Sequence, residues 1–201
     1  MGREARRTLT EPDALRALAH PVRYEVLNYL IAEGVATASQ CARAVGDTPS
    51  NCSYHLRALA KAGLVAPDGS ADGRERPWRA LVTGFDVPPD ADPESPAGKQ
   101  AALIAALAVQ RDQRLVRGWM ERRDRAPAQW RDADHYGLYT LRLTPDELRE
   151  LGDRIDALVR PYIAATRDDA PAGAEAVHLG FHGFPISTDE EAPDATAPAA
   201  P

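Results

Sequence analysis

A mainly helical α+β fold is predicted for this 201-residue chain by three observations. Apolar residues recur at helical spacing from Leu15 to Leu59, punctuated by proline and glycine. Two short strand-like runs then flank a polar turn at 67–77. Beyond an acidic, proline-rich stretch at 86–96, a long helical pattern precedes a strand, helix and strand.

The first helix begins at Pro12, with Thr10 as its cap and Leu15 and Leu18 inward. Pro21 starts the next, and Val22, Val26, Leu27, Leu30 and Ile31 form its apolar stripe up to Gly34. His20, just before Pro21, reads as a hydrogen-bonded joint rather than a metal ligand. Thr37 to Val45 is a short helix that Gly46 stops, where a positive φ is needed. Thr48 and Pro49 restart the chain as N-cap and first helical position, and Gly63 ends the new helix after Ala62.

On that helix Cys52, Leu56 and Leu59 fall four and three apart on one buried face. Ser50, Asn51, Tyr54, Arg57 and Lys61 lie on or beside the other, a polar and positive surface suited to base edges and phosphates. Thr48, Ser53 and His55 complete the candidate DNA contacts on this helix; His55 either touches phosphate or braces the helix. Leu64–Ala66 and Trp78–Val82 are the strand-like runs, and Arg74, Arg76 and Arg79 sit where a wing would reach along a DNA backbone or into a minor groove. A planar guanidinium suits both tasks. The segment therefore reads as a winged helix-turn-helix.

Three separated motifs carry a resemblance. Residues 17–27 (ALAHPVRYEVL), 53–59 (SYHLRAL) and 62–65 (AGLV) occur in order, and over residues 10–83 the chain resembles the arsenic-repressor (ArsR) family of winged helix-turn-helix transcriptional regulators. The resemblance implies a homodimeric transcription factor on a double-stranded DNA operator, usually a repressor. Metal-sensing members carry a Cys-x-Cys pair in the helix before the recognition helix, or carboxylate and histidine ligands on the last helix. Here Cys41 has no second thiol beside it, so no metal and no cofactor is expected. Cys41 and Cys52 fill positions where a small apolar residue packs. The alternative is a redox pair, which requires Cα atoms within about 7 Å.

The chain carries 24 Lys+Arg against 30 Asp+Glu, but the halves differ. Residues 1–85 hold 11 basic and 9 acidic side chains, residues 86–201 hold 13 and 21. The local field governs DNA binding, so an acidic total does not exclude it. No run approaches the ~20 apolar residues that span a bilayer, the start lacks a signal-peptide core, and two cysteines make no disulfide framework. A cytoplasmic protein without membrane contact is expected.

The expected organisation is a DNA-binding domain at 1–85, an acidic linker at 86–96, a long helix at 97–126, a small β-α-β module at 127–187 and a disordered acidic tail at 188–201. On the long helix Leu103, Ile104, Leu107, Ala108, Val109, Leu115 and Trp119 form a broad apolar surface that needs a partner, for which a second copy is favoured over the following module. Tyr136–Leu143 and Ala176–Phe184 read as strands around a helix begun by Thr144 and Pro145. Trp119, Trp130, Tyr136, Tyr139, Phe181 and Phe184 are candidates to line a pocket for a small organic effector. His178 and His182 on such a strand stand about 13 Å apart, too far to share an ion.

Two functions are carried forward: a DNA-binding transcriptional regulator, and an interaction module on a winged scaffold that has lost DNA. Asp47, where a hydrophobic turn residue is common, and the acidic balance favour the second. No nucleophile–base set, phosphate loop or paired carboxylates at a telling spacing points to an enzyme.

Overall fold

The computed structural model describes residues 7–69, 76–88, 92–164, 166–167 and 169–186. Strand β1 (Arg7–Thr8) leads to helix α1 (Pro12–Leu18), and α2 (Pro21–Glu33) follows a two-residue joint. Both helices start at proline, where the missing N–H leaves nothing unsatisfied. The N-cap of α1 is Glu11 rather than Thr10; the Thr10 amide itself donates to the Glu11 carboxylate, so Thr10 does no capping.

After β2 (Val35–Ala36), helix α3 (Ala38–Val45) opens with a reciprocal capping box between Thr37 and Gln40. Gly46, at φ 70°, turns the chain into α4 (Pro49–Lys61), where the Thr48 hydroxyl accepts from the Asn51 amide at 3.2 Å. Strands β3 (Val65–Pro67) and β4 (Trp78–Ala80) form an antiparallel hairpin, with Val65 opposite Ala80. β2 pairs with the other edge of β4, giving the order β2-β4-β3, and β5 (Phe85–Asp86) lies parallel to β1. The strands β1, β2 and β5 are absent from the sequence reading because two residues carry no periodicity.

Leu9, Leu18, Leu27, Leu30, Leu56, Leu59, Leu64 and Val65 are fully buried together, so α1, α2, α3, α4 and the hairpin share one core. Helix α5 (Pro96–Arg122) joins it. Its first half buries Ala101, Ile104 and Leu107, the last two within that core, and Arg111 and Arg114 both pair with Glu25 of α2, each at 2.5 Å. The division at residue 85 is thus not the edge of the core: the start of the long helix packs on its own N-terminal domain. The turn before α5 folds close beneath it, so that a Cβ at Gly98 would lie 2.4 Å from the Asp92 carbonyl oxygen.

The C-terminal region departs from expectation. A short helix α6 (Ala128–Ala133) and the predicted α7 (Pro145–Val159) are present, the latter opened by a Thr144–Glu147 capping box. Tyr136–Leu143 and Ala176–Phe184 are not strands, so the β-α-β module is corrected to helices and irregular segments. Two strands alone make a poor sheet, and these find no covering surface: Leu138 is 99% exposed. The tail at 188–201 lies outside the described residues.

If the first half of α5 belongs to the N-terminal core, Ile104→Ala should destabilise that core by about 2–5 kcal/mol, read by denaturant unfolding. A change within experimental error would separate α5 from the domain.

Candidate nucleic-acid interface

Helix α4 presents one face to the core and the other to solvent. Cys52, Leu56 and Leu59 are fully buried. Ser50, Asn51, Arg57 and Lys61 are exposed, Ser53 is half-buried, and the Tyr54 ring is 60% exposed. The Ser53 hydroxyl donates to the Pro49 carbonyl at 2.9 Å. Asp47, in the turn before the helix, accepts from the Thr48 amide at 2.7 Å and from the Asn51 side-chain amide at 2.6 Å. A residue that sequence reasoning took as a departure therefore holds the N-cap residue and the Asn51 side chain at the start of α4.

The outer face of α4 meets the hairpin in a cleft of about 510 Å³. Ser50, Ser53 and Arg57 line one wall, Arg76 and Trp78 the other, with Ala38, Pro49 and Pro67 completing it. Two arginines from different elements thus face one concavity, an arrangement matched to the negative backbone of a nucleic acid. Arg79 lies half-buried on β4 and is not among the cleft residues, and Arg74 lies outside the described residues.

His55 is corrected as a DNA contact. It is 4% exposed and turned inward, where its ring packs 4.7 Å from that of His20. With Cys52, Leu56 and Leu59 it completes an i, i+3, i+4, i+7 set, which is one face of the helix. Nor is His20 a hydrogen-bonded joint through Nδ1: His20 Nδ1, His55 Nδ1 and Arg23 Nε are all buried without a hydrogen-bond partner among the described residues. Burial, reinforced by the Arg23 charge, pushes both imidazoles below their ordinary value. At the joint between α1 and α2, His20 therefore packs its ring against His55 of α4.

Cys41 and Cys52 are both buried and unbridged. Burial pushes each thiol up to about 11, with mutual repulsion adding to it for Cys41, so the thiolate that would react is scarce at neutral pH.

The effector pocket is also corrected. Tyr136, Tyr139, Phe181 and Phe184 are half or more exposed, and no two of the six rings stack. The Trp119 indole instead donates to Asp134, which Arg123 also grips, and the Trp130 indole donates to Glu175. Without the two strands nothing draws the rings together. The same loss of strand geometry brings His178 and His182 onto opposite oxygens of Asp112, at 2.7 and 3.2 Å, rather than holding them apart. Among the described residues no group of histidine, cysteine and carboxylate side chains is arranged to hold a metal ion.

Residues 18–68 match the helix-turn-helix domain family. The match supports a helix-turn-helix DNA-binding domain in this segment. It spans α2, α3, α4 and the first strand of the hairpin, so it takes in the α4 wall of the cleft, whereas Arg76 and Trp78 lie beyond it. Such a domain points to transcription regulation and to double-stranded DNA as partner. No curated protein matches the chain. No helix among the described residues is long and apolar enough to cross a membrane.

Two measurements test the domain's interior. A histidine whose folded value is depressed contributes stability above about pH 6.5, the unfolded value, that is lost as pH falls through the folded value. Melting temperature should accordingly drop between pH 7.5 and 5.5, and His55→Gln should flatten that dependence; an equally steep variant would remove the histidine pair as its cause. Both thiols should resist a disulfide reagent in the native protein at pH 7.5 and react fully in denaturant. Rapid native labelling would contradict their burial.

Proposed function

We propose that the chain is a sequence-specific, homodimeric transcriptional regulator of the winged helix-turn-helix type, acting as a repressor by occupying its operator. The observation that carries this reading is the cleft shared by Arg57 of α4 and Arg76 of the hairpin. On this reading α4 enters the major groove, its N-terminal residues Ser50, Asn51 and Ser53 meet base edges, and the hairpin acts as the wing on flanking phosphates. The resemblance at residues 10–83 supports the repressor role and the arsenic-repressor-like assignment.

Homodimerisation is supported by the outer surface of α5. Leu103, Val109, Val116 and Met120 stay exposed along it although the first half of the helix is anchored on its own domain. A twofold mate would cover that surface and set two α4 helices one helical turn of DNA apart, about 34 Å.

Fragments selected from a genomic library by the purified protein supply the operator for the test. Arg57→Ala and Arg76→Ala should each weaken binding and lower the slope of log affinity against log salt by about one unit, as loss of one phosphate contact requires. Unchanged affinity and slope in both variants would refute the placement of DNA in the cleft.

A further inference from the structure

We propose that Asp47 is a specificity-positioning residue: it holds the Asn51 carboxamide in one orientation, so that Asn51 reads adenine in the major groove. The proposal rests on the reading of α4 as the helix that enters DNA.

The geometry is local and complete. Asp47 lies in the turn between α3 and α4, half-buried, and Asn51 is the third residue of α4, exposed on the outer face. One carboxylate oxygen of Asp47 accepts from the Thr48 backbone amide at 2.7 Å, which fixes the carboxylate against the helix start. The other accepts from Asn51 Nδ2 at 2.6 Å. An ionised carboxylate only accepts, so the end of the Asn51 amide facing it must be the NH2. The amide therefore cannot turn over without losing that bond, and Oδ1 is committed to the other side. The Asn51 backbone is held as well, because its N–H donates to the Thr48 hydroxyl at 3.2 Å.

A side-chain amide that is free to flip offers a base either a donor or an acceptor at a given place, and discriminates poorly. Held by Asp47, Asn51 offers a fixed acceptor, with one N–H still available beside it. Adenine presents the complementary pair on its major-groove edge, the N6 amine as donor and N7 as acceptor. Guanine and thymine place a carbonyl oxygen where that amine would be, opposite the Asn51 oxygen. Pairing Asn51 with Asp47 also keeps the carboxylate engaged, so its negative charge at the start of α4 is directed at two donors rather than at the phosphates.

The test is selection of bound sequences from a randomised duplex library by the full-length wild type, Asp47→Ala, Asp47→Asn and Asn51→Ala. Melting curves for each protein confirm that the fold is retained. The wild type should prefer adenine by roughly five- to a hundredfold at one position per half-site, the range a bidentate contact provides. Asn51→Ala should flatten that position alone. Asp47→Ala should reduce the same preference although residue 51 is intact, and so should Asp47→Asn, whose single oxygen can serve the Thr48 amide or Asn51 Nδ2 but not both.

An unchanged base preference in Asp47→Ala overturns the positioning role, as does a preference for guanine or thymine at the position that Asn51→Ala flattens. Failure of the wild type to enrich any sequence is a different result. It removes the DNA-reading role of α4 itself, and this proposal with it.

Discussion

Everything outward on this domain depends on how α4 is held from within. Cys52, His55, Leu56 and Leu59 bury one face of the helix against α2, α3 and the first strand of the hairpin. Because a helix turns by a fixed 100° per residue, sealing those four positions settles where Ser50, Asn51, Tyr54 and Arg57 point. Nothing on the polar face needs a partner of its own to be displayed. The contact of His20 with His55 extends the same constraint to the joint between α1 and α2, without adding a charge to the interior.

The second determinant is the clasp on Glu25. Arg111 and Arg114, near the middle of α5, converge on one carboxylate of α2, and with the buried Ile104 and Leu107 they anchor the long helix to the N-terminal core. The second half of the helix meets the C-terminal region through polar contacts: Asp112 receives His178 and His182, and a Cβ at Gly180 would lie 2.4 Å from the Asp112 carboxylate. The contacts of α5 are apolar along its first half, and polar ones take over from Arg111 onward.

The N-terminal half was legible from sequence because its signals are local. Proline at the first turn of α1, α2 and α4, glycine after α3 and threonine before α3 and α4 each set a boundary through the chemistry of one or two residues. The outward placement of Ser50, Asn51 and Arg57 followed from the spacing of Cys52, Leu56 and Leu59. What remained hidden was non-local. His55 shares the i, i+3, i+4, i+7 face of Cys52, Leu56 and Leu59, and what spacing did not show is its ring contact with His20. Asp47 looks anomalous as a turn residue until its carboxylate is seen bridging Thr48 and Asn51; its spacing of four from Asn51 was the available clue. The C-terminal strands failed for the opposite reason. Tyr136–Leu143 and Ala176–Phe184 have strand-like composition, but a strand exists only with a neighbour to pair, and composition cannot supply one.

The most direct measure of the central claim is an amide-shift titration of the labelled protein with its selected duplex. The account predicts the largest changes at residues 48–57 and 76–78, around the cleft shared by α4 and the hairpin. Changes confined to α5 and the residues after it, with α4 unmoved, would contradict it and place the interaction surface in the C-terminal half.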